Sequence, residues 1–181
     1  MSTYIALLRG INVGRAKRVA MADLRELLGR IGCTSVHTLL QSGNAVFDYL
    51  GEHPAVLAKA IETALAEDLG VSARCLVWPA ESLRELIAAN PFPERAAEGS
   101  RYLALFLSAA LDPRLVTEHD PRALAPDDIR LGDGVIYQWC PNGVLEAPAV
   151  GTFVERHFGV VATARNWNTV SKLGALVGVG E

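Results

Sequence analysis

Val36-His37-Thr38-Leu39-Leu40-Gln41-Ser42-Gly43-Asn44-Ala45-Val46-Phe47-Asp48-Tyr49-Leu50 is the stretch that decides how the first half of the chain folds. Two short apolar runs, Val36 to Gln41 and Ala45 to Leu50, flank Ser42-Gly43-Asn44, a connection tight enough for a hairpin. Upstream, Thr3 to Arg9 is rich in strand formers and ends at Gly10, after which a polar loop runs to about Ala20. Met21, Leu24, Leu27, Leu28 and Ile31 then recur at helical spacing, and Gly32 stops the pattern. Downstream, Pro54 opens a helix with the stripe Leu57, Ala60, Ile61, Ala64 and Leu65, closing near Gly70. Ser72 to Trp78 supplies a fourth strand. The order β-α-β-β-α-β predicts a ferredoxin-like unit, an antiparallel sheet with both helices on one face.

A right-handed split β-α-β unit makes its first two strands point the same way. The Gly10 to Ala20 loop and the Ser42-Gly43 turn should therefore be neighbours at one edge of the sheet. Beyond the first unit, the pattern predicts a helix over Ala80 to Ala89, the loop Asn90-Pro91-Phe92-Pro93, a strand over Arg101 to Ser108 and a short helix over Pro113 to Glu118. A hairpin follows, Asp127 to Leu131 and Val135 to Cys140 around Gly132-Asp133-Gly134, and two helices end the chain, near Gly151 to Phe158 and Asn166 to Val177. This second half echoes the first without a residue-level repeat. The expectation is an α+β protein of two packed α+β subdomains, 1–79 and 80–181, folding as one unit.

With 181 residues, half hydrophobic and a fifth charged, the chain can bury a substantial core without metals or disulfides. Cys33, Cys75 and Cys140 are odd in number, far apart and set in apolar runs, which reads as buried free thiols in a reducing compartment. The N-terminal run lacks a preceding base and a cleavage site, and no apolar stretch approaches membrane-spanning length. A cytoplasmic location and no membrane partner are expected. The net charge of −3 disfavours bulk electrostatic grip on long nucleic acid. Charge is unevenly placed, however: Arg9, Arg15, Lys17 and Arg18 all fall within one loop.

Three segments carry more polar chemistry than local structure needs. Arg9-Gly10-Ile11-Asn12-Val13-Gly14-Arg15 combines glycines, which let backbone N–H groups face an anion, with flanking bases, though a turn needing positive φ explains the glycines equally well. It matches neither the Walker nor the dinucleotide fingerprint. Gln41-Ser42-Gly43-Asn44 concentrates three hydrogen-bonding side chains where a hairpin needs only Gly and Asn. At 100° per residue, Arg165, Asn168, Thr169 and Lys172 share one helical arc opposite Trp167, Val170, Leu173 and Val177, with Asn166 as a capping residue. His37, His53, His119 and His157 have no partner at metal-ligand spacing, so no metal or cofactor is expected, and no nucleophile or general base declares itself.

Ala6-Leu7-Leu8-Arg9-Gly10-Ile11-Asn12-Val13-Gly14, Met21 with Leu24, Gln41-Ser42-Gly43-Asn44, and Arg165-Asn166-Trp167-Asn168-Thr169-Val170 with Lys172-Leu173 resemble the bacterial family called domain of unknown function 1697. The resemblance spans nearly the whole chain. It implies an α+β fold of two subdomains, the first ferredoxin-like, and brings no established activity. The chain departs from that family at Arg15, where a second glycine is frequent, at Leu39, where an aromatic is frequent, and near Ala147, where a serine with a basic neighbour is missing.

The expected function is binding of a phosphate-bearing or other anionic small ligand in a pocket between the subdomains, formed by Arg9, Gly10, Asn12, Gly14, Arg15, Gln41, Ser42, Gly43, Asn44, Arg165, Asn168, Thr169 and Lys172. The alternative is single-stranded RNA or DNA bound on the sheet, with Phe47 and Tyr49 as stacking residues, or a protein-interaction module.

Overall fold

The computed structural model describes residues 1–14, 17–51 and 53–179. The chain divides into two compact units, Met1–Arg84 with Leu173–Glu181, and Glu85–Lys172. The sequence reading divides it at residue 80 instead. Nothing breaks the helix that starts there, so it continues past the boundary, and the chain end joins the first unit, where Arg84 Nε donates to the Val177 carbonyl at 3.0 Å.

Unit 1 contains β1 (Ser2–Arg9), α1 (Met21–Ile31), β2 (Thr34–Leu39), β3 (Asn44–Tyr49), α2 (Pro54–Leu69), β4 (Arg74–Pro79) and the start of α3 (Ala80–Ala88). The helices stop where glycine permits a left-handed residue: the N–H of Gly32, at φ 100°, turns back to the carbonyls of Gly29 and Leu28, and that of Gly70, at φ 64°, to Leu65. The four strands form an antiparallel sheet in the order β2-β3-β1-β4. Tyr4, Ala6 and Leu8 of β1 share a face with Phe47, Cys75 and Val77, and form one core with Leu24, Leu27 and Leu28 of α1 and Leu57, Ile61 and Leu65 of α2. Each fully buried leucine stabilises this core by about 1.5–3 kcal/mol.

Unit 2 takes the rest of α3 and continues through a 3-10 segment (Pro93–Arg101), β5 (Tyr102–Leu107), α4 (Pro113–Glu118), a 3-10 turn (Pro121–Leu124), β6 (Ile129–Leu131), β7 (Val135–Trp139), a 3-10 turn (Val144–Glu146), α5 (Val150–Phe158), β8 (Ala162–Asn166) and the first part of α6 (Trp167–Leu176), whose end from Leu173 belongs to unit 1. Its antiparallel sheet runs β6-β7-β5-β8. The sequence reading lacks β8. That strand is five residues long with Ala162 and Thr163 both buried, so it offers no alternation to recognise.

With β8 in place the second unit repeats the connectivity of the first, and the hydrogen bonds repeat too. Leu8 N donates to Gly43 O at 2.8 Å, and Leu107 N to Gly134 O at 2.9 Å. Glu62 of α2 accepts from the outward-facing amide of Cys75 at 2.9 Å, and Glu155 of α5 from that of Ala162 at 3.1 Å. Cys75 pairs with Leu8 and Ala162 with Leu107, so Leu8 and Leu107 are equivalent. The similar strings Tyr4-Ile5-Ala6-Leu7 and Tyr102-Leu103-Ala104-Leu105 are one residue out of step with that equivalence. A one-residue slip in a strand reverses every side chain. Tyr4 accordingly lies with the helices of unit 1, whereas Tyr102 stacks on Trp167 at 4.6 Å.

Among the described residues no helix is long and apolar enough to cross a membrane. Replacing Glu62 or Glu155 with Ala should lower stability by about 1–2 kcal/mol, by stranding an edge amide, while Gln should recover most of the loss because its carbonyl still accepts. Urea denaturation of the four variants measures this, and equal effects of Ala and Gln would contradict it.

Candidate functional site

Beyond the end of β1, four of the described residues are left-handed: Gly10 (φ 74°), Asn12 (φ 53°), Gly14 (φ 63°) and Lys17 (φ 52°). Asn12 holds this loop together. Its Nδ2 donates to Val19 O at 2.8 Å and to Gln41 O at 2.7 Å, and its Oδ1 accepts from Val19 N at 2.8 Å. Its own N–H donates to Lys17 O at 2.9 Å. The loop is thus pinched shut at its base and fastened to the β2–β3 turn, so the two segments expected to be neighbours are brought together.

Within the turn, the buried Asn44 donates from Nδ2 to Leu39 O and to Ser42 Oγ, both at 2.9 Å. Gly43 lies where loop and turn touch: a Cβ there would come within 2.7 Å of both Ile11 Cδ1 and Leu8 Cβ, and its φ is 82°. Gly10 and Gly14, by contrast, face open space. Asn12, Gly43 and Asn44 therefore build the site, and Arg9, Lys17, Arg18, Gln41 and Ser42 are its exposed members. Arg15 lies outside the described residues.

Sequence reasoning misses one base. Arg74 opens β4 and is the cross-strand partner of Arg9, which sets two basic residues opposite each other in register at this end of the sheet. Strand register, which sequence does not reveal, was the only route to it. Arg74 Nε lies 3.4 Å from Glu62, and Arg25 of α1 donates to Thr38 Oγ1 at 2.6 Å.

The expected helical face over Arg165, Asn168, Thr169 and Lys172 is not formed, because β8 extends to Asn166 and the helix begins after it. Arg165 is a strand residue opposite Ala104, with Nη1 donating to Ala164 O at 2.9 Å. Thr169 is buried, and its N–H and hydroxyl donate to Asn166 Oδ1 at 3.0 and 3.1 Å, the capping role expected of Asn166. Asn168 occupies the space left by the missing side chain of Gly99, and Lys172 is exposed. Arg165, Asn168, Thr169 and Lys172 belong to unit 2, and the loop and turn to unit 1. Phe47, offered as a base-stacking residue, is 1% exposed in the core of unit 1 with its ring 6.5 Å from that of Tyr4.

Burial pushes the Cys33 and Cys140 thiols up to about 11, so both stay protonated near neutrality and are poor nucleophiles. Among the described residues no three His, Cys, Asp or Glu side chains are grouped as for a metal ion. The rings of His119 and His157 lie 4.2 Å apart, with Phe153 against His157 at 4.5 Å. Desolvation by this packing, then His119 and Arg156, lower the pKa of His157 from its ordinary 6.5.

The unfolded chain thus binds a proton more readily than the folded one at that site. Stability from the pair should be complete above pH 6.5 and fall as pH drops through 6.5 toward the lower folded value. Denaturation between pH 8 and 5 should show a slope that His119→Gln reduces; an unchanged slope would contradict the coupling. Gly43→Val should cost roughly 2–5 kcal/mol, strain plus overlap, and Gly10→Val only about 1–3 kcal/mol, strain alone. Equal melting temperatures for the two would contradict the close contact at Gly43.

Residues 1–137 match the family model described as "Protein of unknown function (DUF1697)". The fold is similar to that of a conserved bacterial protein from Streptococcus pneumoniae, with a TM-score of 0.70 and 25% sequence identity over 98% of each chain. No curated protein matches.

Proposed function

This chain belongs to the family described as Protein of unknown function (DUF1697), and we propose that its first unit binds a phosphate-bearing or other anionic small ligand at the end of its sheet where β1 and β4 bring Arg9 and Arg74 together. That register pair carries the reading. Glu62, 3.4 Å from Arg74 Nε, meets part of this positive charge, and a bound anion would meet more of it. Lys17 and Arg18 extend the same positive surface from a loop that Asn12 fixes in place, so little order has to be gained on binding. Repeated left-handed residues at Gly10, Asn12 and Gly14 give the backbone the changes of hand from which anion-receiving concavities are made. The strand order β2-β3-β1-β4 supports a ferredoxin-like reading of this unit, in which loop and turn share one edge.

Calorimetry with inorganic phosphate, pyrophosphate and a nucleoside diphosphate tests the proposal, with a short oligonucleotide as the competing ligand. Lys17→Ala and Arg18→Ala should each weaken binding by about 1.5–3 kcal/mol per charge-assisted hydrogen bond lost. Both side chains are exposed, so melting temperatures should not change. Absence of binding by all three anions, or binding indifferent to both variants, would overturn the reading.

A further inference from the structure

The loop after β1 and the β2–β3 turn, residues 9–20 and 40–44, contain no acidic residue, yet they carry several aliphatic ones among their bases. Ile11 and Val19 are 4% and 2% exposed and serve packing, with Ile11 lying against Gly43. Val13 and Leu40 instead face solvent, 70% and 46% exposed. Asn12 Nδ2 donates to Gln41 O at 2.7 Å, and Val13 and Leu40 each adjoin one end of that bond. A single exposed leucine or valine is ordinary, but here two are fastened to the same margin, beside Lys17 and Arg18.

The backbone at Leu40 adds a second observation. Its φ is 59°, in the left-handed region that glycine and asparagine adopt readily and leucine does not. Asparagine or glycine would satisfy the turn without that strain, so turn geometry does not account for Leu40. Strained residues of this kind cluster at binding sites. The character of the pair also discriminates among anions. No residue in 9–20 or 40–44 is aromatic, so loop and turn offer a nucleobase no ring to stack on. Aliphatic side chains beside bases match a phosphate that carries an aliphatic group.

We infer that the ligand is a phosphate monoester of an aliphatic alcohol, its phosphate toward Lys17 and Arg18 and its carbon chain against Val13 and Leu40. This rests on the anion reading above and names the class of ligand. Calorimetry of the full chain compares hexyl phosphate, monomeric in solution, with inorganic phosphate. The ester should bind about tenfold tighter or more. Leu40→Asn and Val13→Ser should each lower the ratio of the two affinities about threefold, and Leu40→Asn, which relieves the backbone, should not lower the melting temperature. Lys17→Ala should weaken both ligands by the same factor. Phosphate bound with no gain for the ester, or a gain that both aliphatic variants leave intact, would overturn this inference while the anion reading stood. Absence of binding by either ligand would overturn both. Vesicles of phosphatidylglycerol that bind the chain through Val13 and Leu40, with no gain for the monomeric ester, would also overturn it, because the pair would then enter a bilayer surface.

Discussion

The first unit depends on the close approach at Gly43, where the β2–β3 turn meets Leu8 and Ile11 with no room for a side chain. That approach lets Leu8 N reach the Gly43 carbonyl, and it lets the Asn12 amide span from the loop to Gln41 O. Both bonds hold the loop against the sheet rather than free in solvent. The positions of Lys17 and Arg18 follow from it, because they sit on the far side of a loop whose base cannot open without breaking the Asn12 bonds to Val19.

What could be read beforehand was whatever punctuation and periodicity encode. Gly32 and Gly70 end α1 and α2 where the apolar spacing ends, and the loop–turn adjacency follows from connectivity alone. The misses have physical causes. β8 is too short to alternate, with two buried residues side by side at its start, so its pattern runs unbroken into the helix that Arg165 precedes. The pairing of Arg9 with Arg74 depends on register, which no local pattern records. Asn12 and Asn44 were read as ligand contacts, yet their amides serve the backbone around them, since a polar side chain in a tight loop has the chain itself as its nearest partner.

The two units share connectivity but differ in charge at corresponding ends. After β1 comes a long loop with two glycines and several bases; after β5 comes a short connection to α4 that ends at Asp112, and the adjoining turn bears Asp133. Acidic side chains of the second unit thus follow the strand whose counterpart in the first is followed by bases. The two units share the hydrogen bonds Leu8–Gly43 and Leu107–Gly134 as scaffold and differ in the charge they carry beside them.

Glu62 and Glu155 have a consequence for how the protein behaves in a crowded solution. Each occupies an amide on the outermost strand of its sheet, β4 or β8, that would otherwise be open to a strand of another molecule. An unsatisfied edge is a template for growing cross-β assemblies. At the other margins, β2 is interrupted by a register shift between Thr34 and His37, and β6 is only three residues long. A carboxylate supplied by a neighbouring helix thus does for two strands what irregularity and brevity do for the other two. Loss of either side chain would open β4 or β8 to such pairing, making these two margins the natural starting points for fibrillar aggregation.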